Sequence, residues 1–170
     1  HPQALTAARQ ERVAAQVRSI MRQWKPQVVT TFDPAGGYHH PDHLAIHAAT
    51  VTAFLGEAVL SSGSRDLHPH RPTKLYFSVF SKRLLRLAVH LMPLFGQDPS
   101  AFGRNGDIDL FRVAMETFPI HARINVRNAT ERKWNAAACH RSQQGPQSRG
   151  WVHWVLRRTG HVETFMRAFP

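Results

Sequence analysis

The spacing of apolar and polar positions predicts helices and strands in a regular order over the first third of the chain. Residues 4–23 place apolar side chains at helical spacing among arginines and glutamines, which is typical of an amphipathic helix. Residues 27–32 (QVVTTF) are few and rich in β-branched side chains, so they predict a buried strand. A glycine-containing turn follows, and residues 42–60 return to a helical apolar pattern.

The remainder of the chain continues this alternation of strands and helices. The predicted elements are strands at residues 74–80 and 122–126, and helices at residues 81–92, with Ser81 as the candidate N-cap, at residues 128–143 and near the end of residues 151–169. Such an order is typical of an α/β fold. We therefore expect one domain over residues 1–170, with a Rossmann-like, mostly parallel sheet and flanking helices.

Composition and charge narrow the function classes. With 42% hydrophobic residues the chain can form a core, and no apolar run is long enough to predict an integral membrane segment. The net charge is +11, but basic residues are scattered and no basic run carries interleaved aromatics, which favours a solvated surface over a nucleic-acid interface. The lone cysteine, Cys139, lies among alanines and predicts a buried thiol in a reducing, cytoplasmic compartment.

The candidate chemistry is concentrated in residues 36–47, GGYHHPDHLAIH. This stretch holds four of the chain's twelve histidines together with one aspartate: His39, His40, Asp42, His43 and His47. It follows the carboxyl end of a predicted strand, which is where ligands bind in open α/β sheets. Proline suits the first turn of a helix, so His40 is expected near the N-cap and His43 within the first turn. Neutral imidazoles placed there can bind zinc.

Spacing alone leaves several interpretations of these histidines open. Asp42 could bind a metal or orient a histidine ring, and the whole group could simply cap a helix. His43 and His47 lie four residues apart on one helical face, but Leu44 stands where a zinc protease needs glutamate. A zinc-protease motif is therefore disfavoured, and His47 is expected to be a partly buried helix residue or a neighbour of the metal ligands.

Residues 28–54, VVTTFDPAGGYHHPDHLAIHAATVTAF, closely resemble the second signature of the LmbE-like de-N-acetylases. That family includes the N-acetylglucosaminyl-phosphatidylinositol de-N-acetylases (PIG-L). Residues 71–80 and 133–143 are similar to later parts of the family pattern, so the resemblance covers most of residues 10–168. The motif itself consists of Phe32-Asp33-Pro34, Gly36-Gly37, Tyr38 and His40-Pro41-Asp42-His43.

The resemblance implies a reaction and a role for each residue of the motif. The family removes an acetyl group from N-acetylglucosamine-type amides by zinc-dependent hydrolysis, releasing acetate and a free amine. By this resemblance His43 binds the zinc ion, and His40 stabilises the oxyanion or acts as general acid. Asp42 would hold and tune His40, and Tyr38 would be a mobile group near the substrate carbonyl. The expected partner is a small N-acetylated sugar or glycoconjugate.

One departure from the family pattern limits this expectation. The family's other signature, Ala-His-Pro-Asp-Asp-Glu, supplies two further zinc ligands and the general base, but this sequence contains no Asp-Asp pair. His1-Pro2 is followed by Gln3-Ala4, where carboxylates are required. We therefore expect an N-terminally incomplete domain, corresponding to the C-terminal part of the full fold.

Two other interpretations of the chain stay open. It could be a catalytically inactive relative that binds a sugar or lipid head group without turnover, or a different amide hydrolase on the same scaffold. The substrate-binding residues and the roles of His47, His121 and His140 are left unassigned.

Overall fold

The computed structural model describes residues 4–60, 70–102, 106, 108–139 and 160–169, which contain one four-stranded sheet. The strands are β1 (Val28–Phe32), β2 (Lys74–Val79), β3 (Ala122–Asn125) and β4 (Val162–Phe169). Their order in the sheet is β1-β2-β4-β3. Strands β1 and β2 are parallel, whereas β4 runs antiparallel to both of its neighbours. The carboxyl ends of β1 and β2 therefore lie at the same edge of the sheet.

In the described part of the chain, six helical segments accompany the sheet. They are α1 (Gln10–Trp24), α2 (Gly36–His39), α3 (Pro41–Leu60), α4 (Arg83–Leu91), α5 (Leu110–Met115) and α6 (Thr130–Cys139), with 3₁₀ turns at Leu5–Ala7, Met92–Phe95 and Arg127–Ala129. Helix α3 packs against both α1 and β1. No described helix combines the length and the apolar character needed to cross a lipid bilayer.

The main core cluster joins α1 and α3 to strand β2. Its buried members are Met21, Ala53, Phe54, Leu75 and Phe77. Burying a leucine or phenylalanine side chain contributes about 1.5–3 kcal/mol, so this cluster fixes α3 on the sheet. The first turn of α3 is thereby held beside the carboxyl end of β1, where the candidate residues lie.

The expected α/β fold with flanking helices is confirmed, but the sheet is mixed rather than mostly parallel. The difference arises at residues 162–169, which form strand β4 where the sequence predicts a helix. This strand lies between two others and is packed on both faces: Phe165 contacts Tyr76 edge-on, and Met166 packs against the core cluster. Apolar side chains on both faces hide the two-residue alternation that identifies a strand.

Two local predictions are also wrong. Helix α4 begins at Arg83 with Lys82 at its N-cap, so Ser81 does not cap it. Cys139 is exposed at the end of α6 rather than buried. The predicted helix at residues 128–143 begins at Thr130, and its last residues, together with His1, Pro2 and His140, lie outside the described part of the chain.

Candidate functional site

The candidate site begins with a turn directly after β1, residues 33–39, which includes the short segment α2. Asp33 organises this turn. Asp33 is 1% exposed, and its Oδ1 accepts hydrogen bonds from the backbone N–H groups of Ala35 (2.9 Å) and Gly37 (3.0 Å). Gly36 and Gly37 have φ angles of 62° and 74°, a region in which a side chain is strained. The short carboxylate and the two glycines together reverse the chain and direct it into α3.

His40 lies at the start of α3, where a main-chain contact fixes the tautomer of its imidazole ring. Its carbonyl accepts from the amides of His43 and Leu44, as expected of an N-cap residue followed by Pro41. The amide N–H of Asp42 donates to His40 Nδ1 at 3.2 Å. Because a backbone N–H can only donate, Nδ1 is the acceptor and the ring proton of neutral His40 lies on Nε2.

His43, one turn further along, has the opposite arrangement. Its ring stacks on Phe32, with centroids 3.8 Å apart and planes at 7°. Its Nδ1 lies 3.1 Å from the carbonyl oxygen of Gly36. A carbonyl can only accept, so Nδ1 carries a proton, and in the neutral ring Nε2 keeps its lone pair. This is the arrangement found in metal-binding histidines, in which the remote nitrogen donates to a carbonyl or carboxylate.

Tyr38 completes a compact group of rings with these two histidines. Its ring centroid lies 5.8 Å from that of His40 and 5.2 Å from that of His43, and both contacts are edge-on. The two imidazoles are 4.8 Å apart. Tyr38 is 40% exposed, so the group opens to solvent on one side. Three of the four residues predicted from the motif are therefore neighbours.

Asp42 makes a different contact from the one that its expected role suggests. Its Oδ1 accepts from the backbone N–H of Thr6 at 3.2 Å, and its contact with the His40 ring is made through its own amide. The carboxylate also lies in the first turn of α3, where the helix dipole favours negative charge. Asp42 thus fixes the His40 ring through the main chain and ties the N-terminal segment to the site.

Two further histidines have structural partners. His47 Nδ1 lies 2.7 Å from the carbonyl oxygen of Phe32, and its ring contacts Phe77, so it is the partly buried helix residue that the sequence predicts. His121 Nδ1 accepts from the amide of Arg167 at 3.0 Å and joins strands β3 and β4.

A group of charged and polar side chains lies beside the turn, and no local pattern in the sequence predicts that they come together. His39 has a φ of 66°, and its Nε2 lies 2.8 Å from Glu116 Oε1. Lys82 Nζ is 3.9 Å from Glu116 Oε2, and the Lys82 side chain is 3% exposed. Burial lowers the pKa of Lys82, while the negative charges of Asp33 and Glu116 partly oppose that shift.

The side chains available as ligands limit the zinc site that the sequence predicts. Among the described residues, no group of three or more His, Cys, Asp or Glu side chains could hold a metal ion together. The tautomer of His43 fits a metal ligand, and the first turn of α3 supplies this one donor. A catalytic zinc ion usually takes three protein ligands. At least one ligand of such a site would therefore have to come from outside the described residues.

Comparison with known proteins bears on the class of this α/β domain and its histidine-containing turn. Residues 3–54 match the family described as PIG-L, GlcNAc-PI de-N-acetylase. This match includes the turn, Tyr38 and the His-Pro-Asp-His motif. This segment of the chain is similar to the PIG-L family, and the resemblance predicted from the sequence is confirmed there.

Several curated relatives are named 1D-myo-inositol 2-acetamido-2-deoxy-alpha-D-glucopyranoside deacetylase. One from Kineococcus radiotolerans is 39% identical over 98 residues, which cover 57% of this chain and 27% of the relative. One from Acidothermus cellulolyticus is 31% identical over 143 residues, covering 84% and 45%. One from Thermobifida fusca is 29% identical over 143 residues, covering 84% and 48%. The chain thus spans less than half the length of these relatives.

Proposed function

We propose that the protein acts as a zinc-dependent hydrolase that removes an acetyl group from a small N-acetylglucosamine-type amide. The observation that carries this proposal is the pair of opposite tautomers in His40 and His43, beside the exposed ring of Tyr38. One ring offers a lone pair and the other an N–H. The printed names of the relatives, which describe deacetylases of an acetamido sugar joined to inositol, support the same reaction class.

We assign His43 Nε2 as a zinc ligand, with the other ligands contributed from outside the described residues. A bound zinc ion would activate water and polarise an amide carbonyl. Two contacts prepare His43 for this role: stacking on Phe32 sets the plane of the ring, and the Gly36 carbonyl sets its tautomer. The His43 ring therefore has little conformational freedom left to lose when zinc binds.

His40 and Tyr38 act on the substrate carbonyl in this proposal. His40 keeps an N–H at Nε2 because its Nδ1 accepts from Asp42, so it can donate to a developing oxyanion without carrying a charge. Asp42 acts as the residue that holds this tautomer. Tyr38 is partly exposed and brings a second donor, its hydroxyl group, into the same ring group.

The direct test is acetate release from 1D-myo-inositol 2-acetamido-2-deoxy-alpha-D-glucopyranoside. We expect release that depends on added zinc, is abolished by a chelator, and is lost in His43→Ala. His90→Ala is the matched control, because His90 Nδ1 also contacts a carbonyl oxygen, that of Arg86, on the surface of α4. Zinc-replete protein that releases no acetate, or equal loss in both variants, would contradict the proposal.

A second candidate function is binding of a sugar or lipid head group without turnover. The observation that favours it is that the described residues supply no group of three metal ligands. Calorimetry with the same sugar distinguishes the two candidates. Zinc-free protein that binds the sugar, with the same affinity in His43→Ala, would support the binding module over the hydrolase.

A further inference from the structure

His39 has a backbone conformation that requires support from outside the turn. Its φ of 66° lies in the left-handed region, which costs a non-glycine residue about 1–2 kcal/mol. Tyr38, at φ −140°, lies between this residue and Gly37, which is also left-handed. The direction of the Tyr38 and His40 side chains thus depends on whether His39 keeps its conformation.

His39 is held by a contact with Glu116, the residue that directly follows α5. His39 Nε2 and Glu116 Oε1 are 2.8 Å apart, and their side chains are 23% and 29% exposed. This is a short contact between two side chains that are largely shielded from water. A charged or strongly polar pair with this degree of shielding is worth more than the same pair on an open surface.

Lys82 links Glu116 electrostatically to the other end of the turn. It follows β2, whose carboxyl end lies beside that of β1, and it interacts with the carboxylates of both Glu116 and Asp33. Glu116 Oε2, Lys82 Nζ, Asp33 Oδ2 and His39 Nε2 are buried and make no hydrogen bond within the described residues, so the short His39–Glu116 contact is electrostatic. Lys82 and the two carboxylates therefore compensate one another mainly by charge.

We propose that Glu116 is a positioning residue for the ring group of Tyr38, His40 and His43, with Lys82 holding its carboxylate in place. The turn is then fixed at its start by Asp33 and at its end by Glu116. The Gly36 carbonyl, which sets the tautomer of His43, lies between these two points. This inference rests on the proposed function only for the role of the rings in zinc binding and catalysis.

The test records the histidine ring nitrogens by long-range ¹H–¹⁵N NMR in metal-free protein, before and after Glu116→Ala. In the unaltered chain we expect His43 protonated at Nδ1 and His40 at Nε2. In Glu116→Ala both rings should lose the fixed tautomer, and zinc affinity, measured with a competing chelator, should fall about 10-fold, as for other residues that orient a metal-binding histidine.

Glu163→Ala is the matched control, because Glu163 also pairs with a lysine, Lys133 at 2.9 Å, but lies on β4. It should leave the ring spectra and the zinc affinity unchanged. Glu116→Gln keeps the shape and a hydrogen-bond acceptor, so it should restore most of the fixed tautomers. It also provides the measurement if Glu116→Ala does not fold, with an expected fall in zinc affinity of about threefold.

Wild-type ring spectra and zinc affinity in folded Glu116→Ala would overturn the positioning role, as would wild-type zinc affinity in Glu116→Gln if Glu116→Ala does not fold. If the unaltered protein releases acetate and the variant's spectra are unchanged, this inference fails alone. If the variant loses the tautomers but the unaltered protein neither binds zinc nor releases acetate, the proposed function fails and the positioning role of Glu116 stands.

Discussion

His40 and His43 lie one helical turn apart, with ring centroids separated by 4.8 Å, and the main chain fixes their neutral rings in opposite tautomers. The Asp42 amide donates to Nδ1 of the first, and the Gly36 carbonyl accepts from Nδ1 of the second. Both partners are backbone groups whose hydrogen-bonding roles cannot reverse. The same helix start therefore presents an N–H donor next to a lone pair.

Replacing His40 should separate oxyanion stabilisation from metal binding. His40→Asn keeps an excellent N-cap residue at the start of α3, so stability should change little, while the ring N–H is lost. We expect kcat for acetate release to fall about 10²–10³-fold, the usual effect of removing an oxyanion donor, with zinc affinity unchanged. Steady-state kinetics and metal analysis on the same sample measure both quantities.

The contrasting result would be a His40→Asn protein that loses zinc together with activity. That outcome would make His40 a metal ligand, and the assignment of His43 as the ligand in this turn would need revision.

The two glycines of the turn should differ in their tolerance of alanine. Alanine at either position would be strained by the positive φ, which glycine adopts freely. An added Cβ at Gly36 would lie 3.1 Å from Leu44 Cγ and 3.2 Å from His43 Cβ, whereas at Gly37 it would meet nothing within 4 Å. We expect Gly36→Ala to lower the free energy of unfolding by about 1–3 kcal/mol more than Gly37→Ala. Urea unfolding of both variants tests this, and equal losses would count against the packing described for the turn.

Lys82 should give the protein a distinctive alkaline pH dependence. Burial lowers its pKa in the folded state below the ordinary value of 10.5, so between these two pKa values the unfolded chain binds more protons. The cost of burying the charged lysine is fully present below the lowered pKa. It is relieved as pH rises through that value towards 10.5, and stability should rise in this window.

The comparison with Lys82→Met isolates this effect from other titrating groups. The free energy of unfolding of the unaltered chain, minus that of the variant, should increase with pH in the range up to 10.5. Urea unfolding at several pH values measures the difference. A difference that stays constant or falls would show that burial does not depress the pKa of Lys82.

The sequence predicts the parts of this site that have local signals. A β-branched run, glycines and a proline at the first helical position are enough to place β1, the turn and α3 in order, because each is determined by near neighbours. The positions of His40 and His43 at the helix start follow from these signals.

The remaining features depend on contacts between distant parts of the chain. Strand β4 is a strand because β2 and β3 lie on either side of it, and its sequence does not show the alternation of a half-buried strand. The contacts of His39 with Glu116 and of Glu116 with Lys82 join segments that no spacing rule connects. The carboxylate of Asp42 likewise binds Thr6 rather than a ring.

Zinc binding by His43 is tested by an X-ray structure of the protein with zinc supplied, using anomalous diffraction at the zinc edge. We predict an anomalous peak about 2.0–2.1 Å from His43 Nε2, with Nδ1 still bonded to the Gly36 carbonyl. A zinc peak remote from His43, or a His43 Nε2 hydrogen-bonded to protein while zinc binds elsewhere, would contradict the central claim.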